Sequence, residues 1–213
     1  MKTPLPLLLA SSSAYRQALL TRLRLSFTVL IPTIDETPQR NELAQDTALR
    51  LALAKAHAAA QQYPHPALII GSDQVAVLKN SANTASSTAA TEIQLGKPGN
   101  HANALAQLQM MRGRTVVFYT ALCLLNTHTQ QSQTANIPTT VHMRDLSDEE
   151  LDAYLKLDKP YDCAGSAKSE SLGIALADSI HADDPTALIG LPLIALTHML
   201  RQANYPLFGL SPL

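Results

Sequence analysis

The stretch "LIIGSDQVAVL", residues 68 to 78, decides our interpretation of the fold. Its aliphatic residues predict a buried strand, or a pair of strands, around an acid and an amide, Asp73 and Gln74. Open α/β sheets bind ligands at the carboxyl ends of their strands, so we predict that Asp73 lies at or near such an end. There it could hold a divalent cation or take a proton from water. The alternative is a turn aspartate that accepts from a nearby backbone N–H.

Strand and helix patterns alternate along the rest of the chain. Aliphatic or alternating runs predict strands at 5–10, 26–32, 114–126 and 139–146. Helical spacing predicts helices over 14–23, 47–63, 100–111, 147–155 and 188–202, the last beginning near Pro192. Asn100 is a candidate N-cap, and Ser147 with Glu150 fits a capping box. Residues 79–95, rich in Ser, Thr, Ala and Asn, predict a flexible excursion between strand ends. This order is typical of an α/β protein.

Composition narrows the classes of function. Of 213 residues, 46% are hydrophobic and 15% charged, and the net charge is −1 without a basic run, so we expect no nucleic-acid partner. No run approaches the roughly 18 apolar residues of a membrane span, so we predict no such span. The apolar run "LPLLLA" is shorter than the roughly 7–15-residue core of a signal peptide, so we predict no signal peptide either. The length fits one domain over 1–213 or two small lobes. Cys123 and Cys163 are predicted to be buried free thiols.

The turn "ASSSAYR", residues 10 to 16, joins a predicted strand to a predicted helix. Its backbone N–H groups and the hydroxyls of Ser11 and Ser13 lie at a positive helix end, which suits phosphate. Arg16 in the first turn could add a bidentate clamp. The alternative is that Ser12 or Ser13 simply caps the helix.

Further acids and lysines could belong to the same site. Glu36, in the loop sequence "DET", could join Asp73 as oxygen ligands of Mg²⁺ or Mn²⁺, or could be a solvated loop acid. Lys55 lies within an alanine-rich helix and Lys97 in a Gly-Lys-Pro turn; each alone is typical of a surface lysine. No histidine pair has metal-ligand spacing, and neither cysteine lies in a nucleophile motif. A phosphate-suited turn together with these acids and lysines suits a metal-assisted nucleotide hydrolase, but it does not identify a particular enzyme.

Six motifs together resemble one family. The segments "LLLASSSAYRQALL", "IDET", "LALAKA", "IIGSDQVAVL", "LGKP" and "DCAGSAKSE" have the order and approximate spacing of Maf-type nucleotide pyrophosphatases, from Leu7 to about Arg201. The resemblance implies an α/β fold of the Maf and ITPase kind, a bent mixed β-sheet around a cleft with flanking helices. It also implies a cytoplasmic enzyme that uses Mg²⁺, Mn²⁺ or Co²⁺ to cut nucleoside triphosphates into the monophosphate and diphosphate. A homodimer is a further expectation.

The resemblance also implies roles for individual residues. It makes Asp73 the proton acceptor and, with Glu36, a metal ligand. The residues implied to bind phosphate or act in catalysis are basic or carry hydroxyls: Ser11, Ser13, Arg16, Lys55, Lys97 and Lys168.

Three positions resemble the 7-methyl-GTP branch of the family: Tyr15, Gln74 and Glu170. An aromatic ring can stack on the cationic methylated base, at about 0.5–2 kcal/mol. A glutamate can accept from the two donors on the pairing edge of guanine, and Gln74 can bond near the base or sugar.

The chain departs from the family pattern at three places in the first turn. Ala14 replaces the usual Pro, Gln17 replaces a second basic residue, and Tyr15 replaces Trp, which reduces the stacking face. Two alternatives stay open: a dTTP or UTP pyrophosphatase of the same family, and a non-catalytic nucleotide-binding regulator of septum formation.

Overall fold

The computed structural model describes residues 4–79 and 92–209 and confirms the predicted α/β class. The strands are β1 Leu7–Ala10, β2 Phe27–Leu30, β3 Leu68–Lys79, β4 Glu92–Leu95, β5 Thr115–Asn126, β6 Gln131–Met143 and β7 Ala177–Ala182. The α-helices are α1 Ala14–Thr21, α2 Ala44–Gln62, α3 His101–Met111, α4 Asp148–Asp158 and α5 Leu193–Gln202. Two short 3₁₀ turns, Ala164–Ser166 and Leu172–Leu176, precede β7.

The described strands form one seven-stranded mixed sheet in the order β2-β1-β3-β5-β6-β7, with β4 paired to β3 beside this path. Strand β1 pairs in parallel with both β2 and β3, and its last residue, Ala10, lies opposite Gly71. Strands β3 and β4 pair antiparallel, as do β6 and β7. Asp73 therefore lies two residues beyond the point where the parallel pairing with β1 ends.

The chain divides into two compact units. The first comprises 1–73, 120–137 and 184–213, and the second comprises 74–119 and 138–183. The first unit contains β1, β2, α1, α2 and α5, and its core packs aliphatic side chains of β1, β3, β5, α1 and α5. Fully buried members include Leu9, Ile70, Leu122 and Leu196. An arrangement of the two units as lobes around a cleft stays a prediction.

Helix α2 lies unusually close to strand β3 in the first unit. A Cβ atom placed on Gly71 would lie 2.1 Å from the carbonyl oxygen of Ala52 and 2.9 Å from the amide nitrogen of Ala56. Both alanines are fully buried. The sequence permits this contact because glycine and alanine bring no bulk to the interface. Lys55, which precedes Ala56 in the helix, contacts Asp73 of the same strand.

The second unit is built around α3 and α4, which pack against each other. Leu108 and Met111 of α3, together with Leu151 and Leu155 of α4, are buried. Local sequence explains the starts of these helices. Asn100 caps α3 by accepting from the Asn103 amide at 2.9 Å. The capping box of Ser147 and Glu150 is present at the start of α4, as predicted.

Several predicted boundaries were wrong. Strand β3 is continuous, so Asp73 lies within a strand and not at its carboxyl end. Strand β6 begins at Gln131, eight residues before the predicted 139, and β7 was not predicted at all. Residues 92–95 of the predicted excursion form β4, and residues 80–91 lie outside the described part of the chain.

The prediction of two buried free thiols was right for one cysteine of the two. Cys123 and Cys163 are both free thiols, but only Cys123 is buried. Among the described helices, none has the length and apolar character that a bilayer crossing requires.

Replacing Gly71 by Ala should destabilise the protein. The added methyl group overlaps the backbone of α2, and such overpacking costs about 1–3 kcal/mol. Urea denaturation would measure the loss. Gly96→Ala is the matched control, because among the described residues no heavy atom beyond the chain neighbours of Gly96 lies within 4 Å of the Cβ position there. An unfolding free energy for Gly71→Ala equal to that of the wild type would contradict the close packing of α2 on β3.

Candidate active site

The turn after β1 holds two of the predicted phosphate-binding hydroxyls. Ser13 is the N-cap of α1, and its Oγ accepts from the Arg16 amide at 3.4 Å. The Oγ of Ser11, which is 4% exposed, accepts from the Ser13 amide at 3.1 Å. The capping interpretation of Ser13 is thus confirmed. Phosphate binding by Ser11 and Ser13 stays a prediction, and a capping hydroxyl keeps a proton that it can donate.

Arg16 extends from the first turn of α1 and is partly buried. Its Nε donates to the carbonyl oxygen of Gly190 at 2.8 Å. Burial lowers the pKa of the Arg16 guanidinium, and the nearby carboxylates of Asp73 and Glu36 act in the opposite direction. The Arg16 guanidinium therefore lies within electrostatic reach of two predicted acids, Asp73 and Glu36.

The centre of the site is an ion-pair cluster around Lys55. Its ammonium lies 2.6 Å from Oδ1 of Asp73 and 2.8 Å from Oε1 of Glu36. The side chains of Lys55 and Asp73 are each 10% exposed, whereas that of Glu36 is 57% exposed. Asp73 and Gly71 are two residues apart in β3, so their side-chain directions share one face of the strand. That face is the one against which α2 packs.

A second ion pair fixes the loop that carries Glu36. Arg50 of α2 donates from Nε and Nη2 to the carboxylate of Glu42 at 2.6 and 2.8 Å, and from Nη2 to the carbonyl oxygen of Thr37 at 3.1 Å. The Arg50 bonds, followed by a hydrogen bond from the Gln39 amide, lower the pKa of Glu42 to about 2. Helix α2 thus holds both ends of the segment 37–42, next to Glu36.

The carboxylates of Asp73 and Glu36 are compatible with a divalent cation. Both lie within 2.8 Å of the same ammonium, so the two carboxylates lie close to each other. Carboxylate oxygens are the donors that Mg²⁺ and Mn²⁺ prefer. Within residues 4–79 and 92–209, no group of three or more acidic, His or Cys side chains forms a metal site. Two carboxylates supplemented by phosphate oxygens and water are a common set for Mg²⁺.

In the second unit, Lys97 lies on a loop that is fixed on both sides. The side-chain amide of Gln107 donates to the carbonyl oxygen of Gly96 at 2.9 Å, and that of Asn103 donates to the carbonyl oxygen of Pro98 at 3.0 Å. Both donors belong to α3. Lys97 itself is exposed, as a cation that meets a soluble ligand would be.

The segment after α4 carries Lys168 and Glu170. Lys168 lies 3.7 Å from the carboxylate of Asp162, and its side chain is 17% exposed. Glu170 is exposed. Ser166 anchors the segment by donating from Oγ to Oε1 of Gln107 at 2.6 Å. Because Gln107 also holds Gly96, one amide connects the Lys97 loop to the Lys168 segment.

The predicted residues thus form two sets, one in each unit. Seven lie in the first unit: Ser11, Ser13, Tyr15, Arg16, Glu36, Lys55 and Asp73. Four lie in the second: Gln74, Lys97, Lys168 and Glu170. Within the first set, Lys55 contacts both Asp73 and Glu36. Two of the residues predicted to select the base, Tyr15 on α1 and Gln74 on β3, are partly buried. A single site made from both sets stays a prediction.

Sequence reasoning missed the residues that hold these groups in place. Gln107 has no sequence signal, because a glutamine on an amphipathic helix is ordinarily a solvated residue. The carbonyl group of Gly190 has none either, since main-chain acceptors occur at every position. Asp184 and Thr186 accept from backbone N–H groups at the start of α5, close in sequence to Gly190. They do have a sequence signal, because aspartate two residues before threonine is typical of an Asx turn.

Comparison with known proteins gives the family. The sequence matches the Maf-like protein family over residues 6–203. A 7-methyl-GTP pyrophosphatase of Cupriavidus pinatubonensis is 59% identical over 208 residues, covering 97% of this chain and 98% of that protein. One from Burkholderia pseudomallei is 58% identical over 209 residues, covering 97% and 92%. A solved HAM1 protein from Coxiella burnetii matches 67% of this chain and 75% of its own with a TM-score of 0.45 and 17% identity. By the family match and these relatives, the chain belongs to the Maf-like protein family.

Proposed function

We propose that this protein is a nucleoside triphosphate pyrophosphatase that hydrolyses 7-methyl-GTP, and related modified nucleotides, to the nucleoside monophosphate and diphosphate. The observation that carries the chemistry is the Asp73 side chain, 10% exposed, with the Lys55 ammonium 2.6 Å from its carboxylate. The names of relatives at 58–59% identity support the choice of nucleotide.

Asp73 is the proton acceptor in this proposal. Water attacks the α-phosphorus, the bond to the bridging oxygen breaks, and diphosphate leaves. The attacking water loses a proton to the Asp73 carboxylate as its bond to phosphorus forms. Oδ1 is held by Lys55, which fixes the orientation of the carboxylate. An ionised carboxylate has lone pairs on each oxygen, so Oδ2 is the atom that we assign to the water.

The basic residues stabilise the negative charge of the phosphates. Lys55 contacts Asp73 directly, and Arg16 lies near enough for the Asp73 carboxylate to raise its pKa. The Lys55–Asp73 pair is largely buried, where water screens its charges less. We assign Arg16 and the hydroxyls of Ser11 and Ser13 to phosphate oxygens, and Lys55 to the charge that develops during attack. Lys97 and Lys168 are assigned to the leaving diphosphate.

We further propose that Asp73 and Glu36 hold a divalent cation, Mg²⁺, Mn²⁺ or Co²⁺. Their shared contact with Lys55 supports this assignment. When bound, such a cation neutralises phosphate charge and makes a nearby water more acidic.

Selection of the base is assigned to Tyr15, Gln74 and Glu170. Glu170 is exposed, and its Oε2 accepts from the hydroxyl of the adjacent Ser169 at 3.5 Å, so its carboxylate can meet a ligand from the solvent. A carboxylate suits the two N–H donors of a guanine edge, whereas thymine presents no such pair. Tyr15 supplies a ring for stacking on the cationic base.

The compartment and the assembly are proposed as well. Two free thiols are typical of a reducing cytoplasm, which supports a cytoplasmic enzyme. A homodimer is carried over from the resemblance, and light scattering on the purified protein would test it.

The proposal predicts that the purified protein releases diphosphate from 7-methyl-GTP when Mg²⁺, Mn²⁺ or Co²⁺ is added. A panel of 7-methyl-GTP, GTP, dTTP and UTP, each measured as kcat/KM, should place 7-methyl-GTP first. EDTA should abolish turnover. A preference for dTTP or UTP would establish the alternative pyrimidine specificity. Nucleotide binding without diphosphate release would favour the non-catalytic regulator.

Asp73→Asn should lower kcat by about 10²- to 10⁴-fold, because the amide cannot accept the proton. The fold should persist, since an amide oxygen can still accept from Lys55. Diphosphate release and circular dichroism would measure the two effects. Asp46→Asn is a matched control, because Asp46 is exposed on the same helix as Lys55. A fully active Asp73→Asn enzyme would remove Asp73 from the mechanism.

Glu170→Gln should reduce the preference for 7-methyl-GTP over dTTP by about tenfold, because the amide presents a donor where two acceptors were needed. Total activity on a poor substrate such as dTTP should change much less. Glu149→Gln, an exposed glutamate of the same unit, is the control. Equal kcat/KM ratios for Glu170→Gln and the wild type would show that selection occurs elsewhere.

A further inference from the structure

We propose that Asp184 and Thr186 are positioning residues for Arg16, acting through the carbonyl group of Gly190. This inference rests on the proposed function, since it assumes that Arg16 binds the phosphates. The Gly190 oxygen accepts from Nε of Arg16 at 2.8 Å and lies 3.0 Å from Oγ of Ser72. The guanidinium is thus held by a main-chain atom from the loop that precedes α5.

The loop 184–193 is fixed by one buried carboxylate. Asp184 is 2% exposed, and its Oδ1 accepts from the amide and hydroxyl of Thr186 at 3.0 and 2.6 Å. Its Oδ2 accepts from the amides of Ile194 and Ala195 at 2.7 and 3.3 Å. The Thr186 hydroxyl accepts from the Leu193 amide at 2.8 Å. Asp184 therefore joins the start of the loop to the first turn of α5.

This carboxylate replaces an ordinary helix cap. Helix α5 begins after Pro192, which provides no side-chain cap. The amides of residues 193–195 would otherwise lack intrahelical acceptors, and a negative charge at this end is favourable for the helix dipole. The helix start and the loop are thus set by the same two side chains.

Between its fixed ends the loop turns tightly toward Arg16. The Gly190 amide donates to the Ala187 carbonyl at 2.9 Å, and the Thr120 hydroxyl donates to the same oxygen at 2.9 Å. Gly190 has a φ of +117°, a backbone conformation that residues with a side chain rarely adopt. This backbone conformation directs the Gly190 carbonyl at Nε of Arg16. One of the five N–H donors of Arg16 is thereby used for orientation, and the remaining four belong to the terminal amino groups.

A double-mutant cycle tests the coupling. Thr186→Val removes the hydroxyl bonds and keeps the volume, while Arg16→Lys keeps the charge and removes the Nε–H donor. Thr186→Val should lower kcat/KM for 7-methyl-GTP about tenfold in the wild-type background and less than about twofold in the Arg16→Lys background. Asp184→Asn should follow the same pattern. The side-chain NH₂ group of asparagine is a donor, and it would face backbone N–H groups that now donate to the carboxylate. If Asp184→Asn does not fold, Thr186→Val decides.

Two controls separate positioning from loss of fold. Thr186→Ser retains the hydroxyl and should retain activity within about twofold of the wild type. Asp183→Asn changes the exposed preceding residue in the same way and should have no effect. Melting temperatures would confirm that every variant is folded at the assay temperature.

The outcomes distinguish this inference from the proposed function. Equal losses for Thr186→Val in the two backgrounds, with an active wild type, would overturn the inference alone. Full activity of a folded Thr186→Val enzyme would do the same. A wild-type protein that releases no diphosphate from any nucleotide would overturn the proposed function and the inference with it.

Discussion

The site in the first unit depends on the contact between helix α2 and glycine 71 of β3. No side chain fits between the two backbones there, because a Cβ atom on Gly71 would lie 2.1 Å from the Ala52 oxygen. The strand period places Asp73 on the same face, and the helix places Lys55 beside Ala56. The short distance between helix and strand is what lets an ammonium on a flexible chain meet a carboxylate at 2.6 Å.

The charges of this cluster compensate one another within a small volume. Two carboxylates, Asp73 and Glu36, share the Lys55 ammonium, and the Arg16 guanidinium lies close enough for both acids to influence its pKa. Burying such charges is costly unless they are paired, so the pairing explains how the fold tolerates them. A triphosphate adds negative charge, which favours the presence of further cations from the protein or the solvent.

Sequence reasoning located features that depend on only a few neighbouring residues, such as the starts of helices. The helices α1, α3 and α4 begin where their capping residues, Ser13, Asn100 and Ser147, indicate, since a cap acts within one turn. Strand β7 was missed because its residues are half-exposed and show no long apolar run. The early part of β6 was missed because "QSQTANIP" is polar and contains Pro138.

Sequence reasoning proposed residues for the site but could not give the distances between them. Most charged positions were proposed from residue type and place in the chain, whereas Lys168 and Glu170 came from the family resemblance. The first unit brings Lys55, Asp73 and Glu36 together. The distance between Lys55 and Asp73 could not be derived, because they are 18 residues apart and their contact depends on how closely a helix packs on a strand. Asp184 was missed for a similar reason: its acceptor role spans 10 residues to Ile194.

The alanine face of α2 has a consequence for how this protein can evolve. Ala48, Ala52, Ala56 and Ala59 are wholly buried, and Ala52 and Ala56 lie against Gly71 of β3. Replacing either of these two with a larger residue would push the helix away from its strand. Selection on this surface would then act through steric fit, without reference to the reaction. Mutational drift on the surface of α2 beside Lys55 should be confined to glycine, alanine and serine, even in descendants that act on a different substrate.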